Sequence, residues 1–88
     1  MIEKIVNFHK ITLYPDPFID HVSIDLGGSA EKTVNVKVSS SQGKVVYNQD
    51  QANQSGTLQV NLPGLMTGSY VLTLTLGQTQ SVFKIIKQ

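Results

Sequence analysis

The sequence predicts an all-β domain, an immunoglobulin-like β-sandwich of about seven antiparallel strands, with a small barrel as the lesser alternative. Three observations carry that prediction. Apolar residues recur at a period of two, and no stretch shows the helical period of about 3.6. Turn formers, among them Gly27-Gly28, Gly43, Pro63-Gly64 and Gly77, divide the alternating runs at short intervals. Finally, 88 residues with no Cys and no Trp can build one aliphatic core and no more, because a chain of this size buries roughly 60 to 65% of its unfolded surface.

Residues 1–10 mix Ile2, Ile5, Val6 and Phe8 with Glu3, Lys4, His9 and Lys10 in neither period, and this lead segment is expected either to add an edge strand or to stay mobile. Ile11 to Tyr14 is a short strand stopped by Pro15-Asp16-Pro17. Each proline removes a backbone donor and pushes its predecessor toward extended backbone, so a stiff crossover is expected, with Asp16 able to accept an N–H in an Asx-type turn. His21 to Leu26 alternates strictly, with Val22, Ile24 and Leu26 on one face and His21, Ser23 and Asp25 on the other. Thr33 to Ser39 repeats the pattern with Val34, Val36 and Val38 inward. The turn that follows uses Gly43, which takes positive φ at no steric cost. Val45 to Tyr47 returns as a strand, and the polar run Asn48 to Ser55 reads as a surface connection. Leu58, Val60 and Leu62 alternate with Gln59 and Asn61 up to Pro63-Gly64, after which Leu65 and Met66 are expected to plug the end of the core.

Gly68 to Leu76 is the longest strand signal in the chain. Tyr70, Leu72, Leu74 and Leu76 share one parity and Val71, Thr73 and Thr75 the other, which places the two sets on opposite faces. Tyr70 is expected in the core with its hydroxyl reaching a partner. Beyond Gly77-Gln78, the run to Lys87 puts Phe83 and Ile85 on one face and Val82 and Ile86 on the other. One face should pack inward, leaving the other to the lead segment or a partner.

Charge and composition narrow the function classes. The formal net charge is +1 and all seven basic residues are Lys; without Arg forks or a dense cationic patch, no nucleic-acid partner is expected. No apolar run approaches the ~18 residues of a membrane-spanning helix, and the start lacks the apolar stretch and cleavage site of a signal peptide. Met1 is either a native start or the start of a piece cut from a longer chain. Asp20, His21 and Ser23 are the residue types of a hydrolytic triad. His21 and Ser23, however, lie two apart on one strand face and do not converge from separate elements, so no catalytic residue and no enzyme are expected. His9 is the only other imidazole, too few for a His-rich metal site. Asp16, Asp20, Asp25 and Glu31 keep calcium open as an alternative, although their spacing matches no EF-hand loop; no metal or cofactor is expected. Tyr14, Tyr47 and Tyr70 invite a sugar-stacking reading that the absence of Trp weakens. Lys84 and Lys87 most simply keep the last strand soluble and blunt edge-to-edge association.

Four stretches nevertheless resemble a known family. Leu13-Tyr14-Pro15-Asp16-Pro17, Ser41 to Tyr47 around Gly43, Leu62 to Leu72 with Gly68 and Tyr70, and Phe83-Lys84-Ile85-Ile86-Lys87-Gln88 are, in order and spacing, similar to the type A C-terminal sorting domain of type IX secretion. The resemblance covers residues 11–88, leaving 1–10 as a tether from an upstream passenger. It implies an immunoglobulin-like sandwich without catalytic activity or cofactor, carried behind a secreted cargo. The implied partners are the outer-membrane translocon of type IX secretion, a sortase-like signal peptidase that removes the domain, and the upstream cargo itself. An exposed edge strand also offers a route to a homodimer. The implied destination is the cell surface or the medium, by way of the periplasm. The resemblance assigns Tyr14, Pro15, Asp16, Pro17, Gly43, Gly68 and Tyr70 to the family's structural motifs, and Lys84, Ile85, Ile86, Lys87 and Gln88 to recognition by the translocon. Asp16 stands where the family usually has Asn, Ser40-Ser41 replaces an Asp-bearing turn, and Ser69 occupies a frequently apolar position. The competing reading is an immunoglobulin-like adhesive or carbohydrate-binding module.

Overall fold

Period-two alternation resolves into strands throughout: the computed structural model describes residues 1–88 and contains eight strands and no helix. They are β1 (Ile2–Val6), β2 (His9–Tyr14), β3 (His21–Asp25), β4 (Thr33–Ser40), β5 (Val45–Ala52), β6 (Thr57–Asn61), β7 (Gly68–Leu76) and β8 (Thr79–Lys87). One sheet has the order β1-β2-β3-β6 and the other β5-β4-β7-β8. Every neighbouring pair is antiparallel, so the molecule is the expected β-sandwich.

The core lies between the sheets and is wholly apolar. Nineteen residues are buried, none of them polar or charged. β3, β4 and β7 contribute the parity sets read from the sequence: Val22 and Ile24; Val34, Val36 and Val38; Tyr70, Leu72, Leu74 and Leu76. β7 is central, with β4 on one side and β8 on the other, and this is why its inward set is aliphatic almost without interruption.

The structure decides between the two alternatives for the lead segment, corrects two local expectations and adds one core residue. The lead segment takes the edge-strand alternative: β1 pairs with β2 from Ile2↔Leu13 to Val6↔His9, bringing the strand count to eight. Asn7 and Phe8 close that hairpin with φ of 50° and 67°, the positive pair that a two-residue turn between right-twisted strands requires. The polar run after Tyr47 is not a loop up to Ser55, because Asn48 to Ala52 extend β5 and pair with Lys37 to Thr33 of β4. β5 is an edge strand, and its backbone is satisfied by one neighbour whatever its side chains are. Leu65 packs partly against the core as expected, whereas Met66 is 82% exposed and plugs nothing. Last, Phe18 is fully buried although it lies outside every alternating run.

One glycine is required by close approach. Gly27 has φ 61°, and a Cβ there would stand 2.3 Å from the Lys10 carbonyl oxygen at the β2 side of the β3 exit.

Candidate functional site

The residues singled out at the two ends of the sequence meet on one edge of the sandwich. β8 is the outer strand of its sheet, paired only with β7, in a register that sets Val71 opposite Lys84, Tyr70 opposite Ile85, Ser69 opposite Ile86 and Gly68 opposite Lys87. The pleat therefore divides the terminal motif. Lys84 is exposed, Ile85 is buried in the core, Ile86 and Lys87 are half-buried, and Gln88 follows the strand exposed. The Lys87 ammonium donates to the Gln88 carbonyl oxygen at 2.7 Å.

Antiparallel pairing also turns the backbone groups of alternate residues away from β7, here Gln80, Val82, Lys84 and Ile86. Two of these meet other parts of the chain. The Val82 carbonyl accepts a hydrogen bond from Lys4 of β1, whose ammonium lies 5.0 Å from the centroid of the Phe83 ring. At Ile86 the N–H donates to Asp16 Oδ1 at 2.9 Å, and the carbonyl accepts from the Phe18 N–H at 2.9 Å. The Gln88 N–H in turn donates to the Phe18 carbonyl at 2.9 Å. Asp16 thus accepts an N–H, as expected of it, but from a residue 70 positions away and not within an Asx-type turn of its own segment.

The other motif residues have structural places. Tyr14 ends β2 opposite Ser23 with 40% exposure, and Pro15 and Pro17 are exposed on the crossover. Gly43, at φ 86°, closes the β4–β5 turn, its N–H donating to the Ser40 carbonyl at 2.9 Å. Gly68 opens β7. Tyr70 is buried, its ring edge-on to Phe18 at 6.4 Å between centroids, and its hydroxyl donates to the Met66 carbonyl at 2.6 Å. A tyrosine at the start of a strand that bonds back to the preceding loop fixes the corner where the chain crosses between sheets of a sandwich.

The remaining chemical candidates do not assemble. His21 Nδ1 lies 2.7 Å from Asp20 Oδ1 in a shallow, open depression shared with Gln59, Asn61 and Pro63; Ser23 does not line it. Asp16, Asp20, Asp25 and Glu31 do not gather, and no three of the His, Asp and Glu side chains stand together as a cation site. Tyr14, Tyr47 and Tyr70 belong to three different strands, β2, β5 and β7, and Tyr47 accepts a hydrogen bond from Gln51 at 2.6 Å.

Phe18 and Lys4 were the contributors hidden from sequence reasoning. Lys4 had one usable signal: it has the inward parity of Ile2 and Val6, and a long cationic side chain in such a place reaches over its neighbours to a polar group.

Comparison with known proteins covers almost the whole of this sandwich. No curated protein matches the chain. A family model described as "Secretion system C-terminal sorting domain" matches residues 12–88, from within β2 through β8 to Gln88, and so includes both the Pro15-Asp16-Pro17 crossover and the terminal motif. With that span matched, the chain belongs to the family of secretion system C-terminal sorting domains, the sorting signals of type IX secretion.

Proposed function

We propose that this domain carries an upstream cargo through the outer-membrane translocon of type IX secretion, and that the translocon recognises the segment Lys84–Gln88. The single observation that supports this reading is the family match, which extends from residue 12 to Gln88. The domain acts without catalysis or cofactor, as a folded tag. Residues 1–10 connect it to the cargo, and β1 within them docks the connection against the sandwich edge. A sortase-like peptidase then removes the domain in or before that connection, leaving the cargo at the cell surface or in the medium.

Shortening the chain is a poor test, because deleting Ile85–Gln88 removes a core residue that is 1% exposed. A better one reverses charge at Lys84 and Lys87, whose side chains lie outside the core. In a bacterium with type IX secretion, a reporter bearing a signal peptide and followed by this domain should reach the surface. The Lys84→Glu/Lys87→Glu variant should fold normally by circular dichroism and yet leave most of the reporter in the periplasm. Normal delivery by the folded double variant rules the reading out.

A further inference from the structure

The Pro15-Asp16-Pro17-Phe18 crossover ends on the strand that carries the sorting segment, and its composition suits that contact. Pro15 and Pro17 have no N–H to offer, so Phe18 is the first residue beyond them that can pair on both sides. It does so in parallel fashion, opposite Lys87, with its N–H on the Ile86 carbonyl and its carbonyl on the Gln88 N–H, both at 2.9 Å. One step earlier, where a continued parallel strand would offer a main-chain carbonyl to the Ile86 N–H, the Asp16 carboxylate takes that role at 2.9 Å. Both outward backbone groups of Ile86 and the Gln88 N–H are therefore occupied from within the chain. The strap is itself fixed: Phe18 is fully buried against Tyr70, whose hydroxyl is tied to Met66.

We infer that Asp16 and Phe18 are positioning residues for the sorting segment, holding Ile86–Gln88 on the sheet edge so that a partner reads its outward side chains and does not add a strand to it. This rests on the proposed recognition of Lys84–Gln88 and says in which form that segment is recognised. Strand addition along β8 cannot extend past Lys84, because the strap occupies the edge from Ile86 onward. What the strap leaves to a partner is the outward row Val82, Lys84 and Ile86 beside Val71, an apolar strip carrying a cation. It matches an apolar groove bearing a carboxylate.

Amide hydrogen exchange, read residue by residue by NMR on the 88-residue chain, tests the contact, and reporter delivery tests its purpose. Asp16→Ala should speed exchange at Ile86 about five- to tenfold, while leaving Leu72 and Leu74 unchanged. Asp16→Asn keeps an oxygen acceptor and should keep Ile86 slow. In the cargo fusion, Asp16→Ala should lower delivery and Asp16→Asn should restore it. Should Asp16→Ala unfold the domain, with Leu72 and Leu74 exchanging fast as well, a second pair decides. Gln88→Pro removes the N–H given to Phe18 and should deliver less than Gln88→Ala, which keeps that N–H and loses only the side chain. Unchanged Ile86 exchange in Asp16→Ala overturns the inference, as does normal delivery from a variant whose Ile86 amide has been freed, or equal delivery by the two Gln88 variants. Normal delivery by Lys84→Glu/Lys87→Glu is a separate outcome, which removes the recognition of the segment itself whatever Asp16 does.

Discussion

Tyr70 shows how one side chain serves two layers of the structure. Its ring belongs to the inward set of β7 and meets Phe18, while its hydroxyl holds the Met66 carbonyl in the loop before the strand. Tyr70→Phe keeps the ring contact and removes only the hydrogen bond, so it should lower stability by about 0.5 to 1.5 kcal/mol with no change of fold. Urea unfolding measures this, and an unchanged midpoint would mean that the corner bond contributes nothing. Tyr70 was legible in the sequence because its parity matches Leu72, Leu74 and Leu76 and because a buried phenol needs an acceptor. Phe18 was not legible. It stands between Pro17 and Ile19 in no periodic run, and its burial follows only from the crossover reaching β8.

Among the elements, β1 was legible only as one of two alternatives and β5 only as far as Tyr47, for different physical reasons. In β1 the inward positions are Ile2, Lys4 and Val6, and the lysine in the middle breaks the apolar alternation. That lysine is accommodated because β1 lies at an edge, from which its ammonium reaches the Val82 carbonyl and the Phe83 ring. In β5 the run from Asn48 onward is polar because that strand, too, is an edge, and none of its residues is buried. Removing residues 1–7 should therefore do two things. Val6 is buried and Ile2 packs on the core; with ~1.5 to 3 kcal/mol for a fully buried aliphatic side chain, the loss should be about 2 to 4 kcal/mol. The bared β2 edge should also self-associate, since an unpaired strand is a template for another. Denaturant unfolding and size-exclusion chromatography at rising concentration check both, and a truncated domain that stays monomeric at the parent's stability would refute the assignment of β1 as an edge cover.

At the scale of the whole molecule, both sheets close on one apolar core without a buried polar group or a disulfide, so the sandwich should unfold as a unit. Stability at ~0.05 to 0.15 kcal/mol per residue comes to about 4 to 13 kcal/mol for 88 residues. Leu74 is fully buried, and Leu74→Ala should cost about 2 to 5 kcal/mol, a large share of that total. Calorimetry should show one transition shifted down, and cargo delivery should fall at temperatures where the variant unfolds, in contrast to the charge-reversed variant, which stays folded. By itself the sequence determined the all-β class, the inward set of each alternating strand and the family motifs, because period-two patterning and turn chemistry are local properties of the chain. Only the tertiary structure decided that the Asp16–Phe18 crossover and the Ile86–Gln88 segment are one feature. Their contact joins residues some 70 positions apart through backbone groups and one carboxylate, and backbone pairing at that distance leaves no period in the sequence to be read.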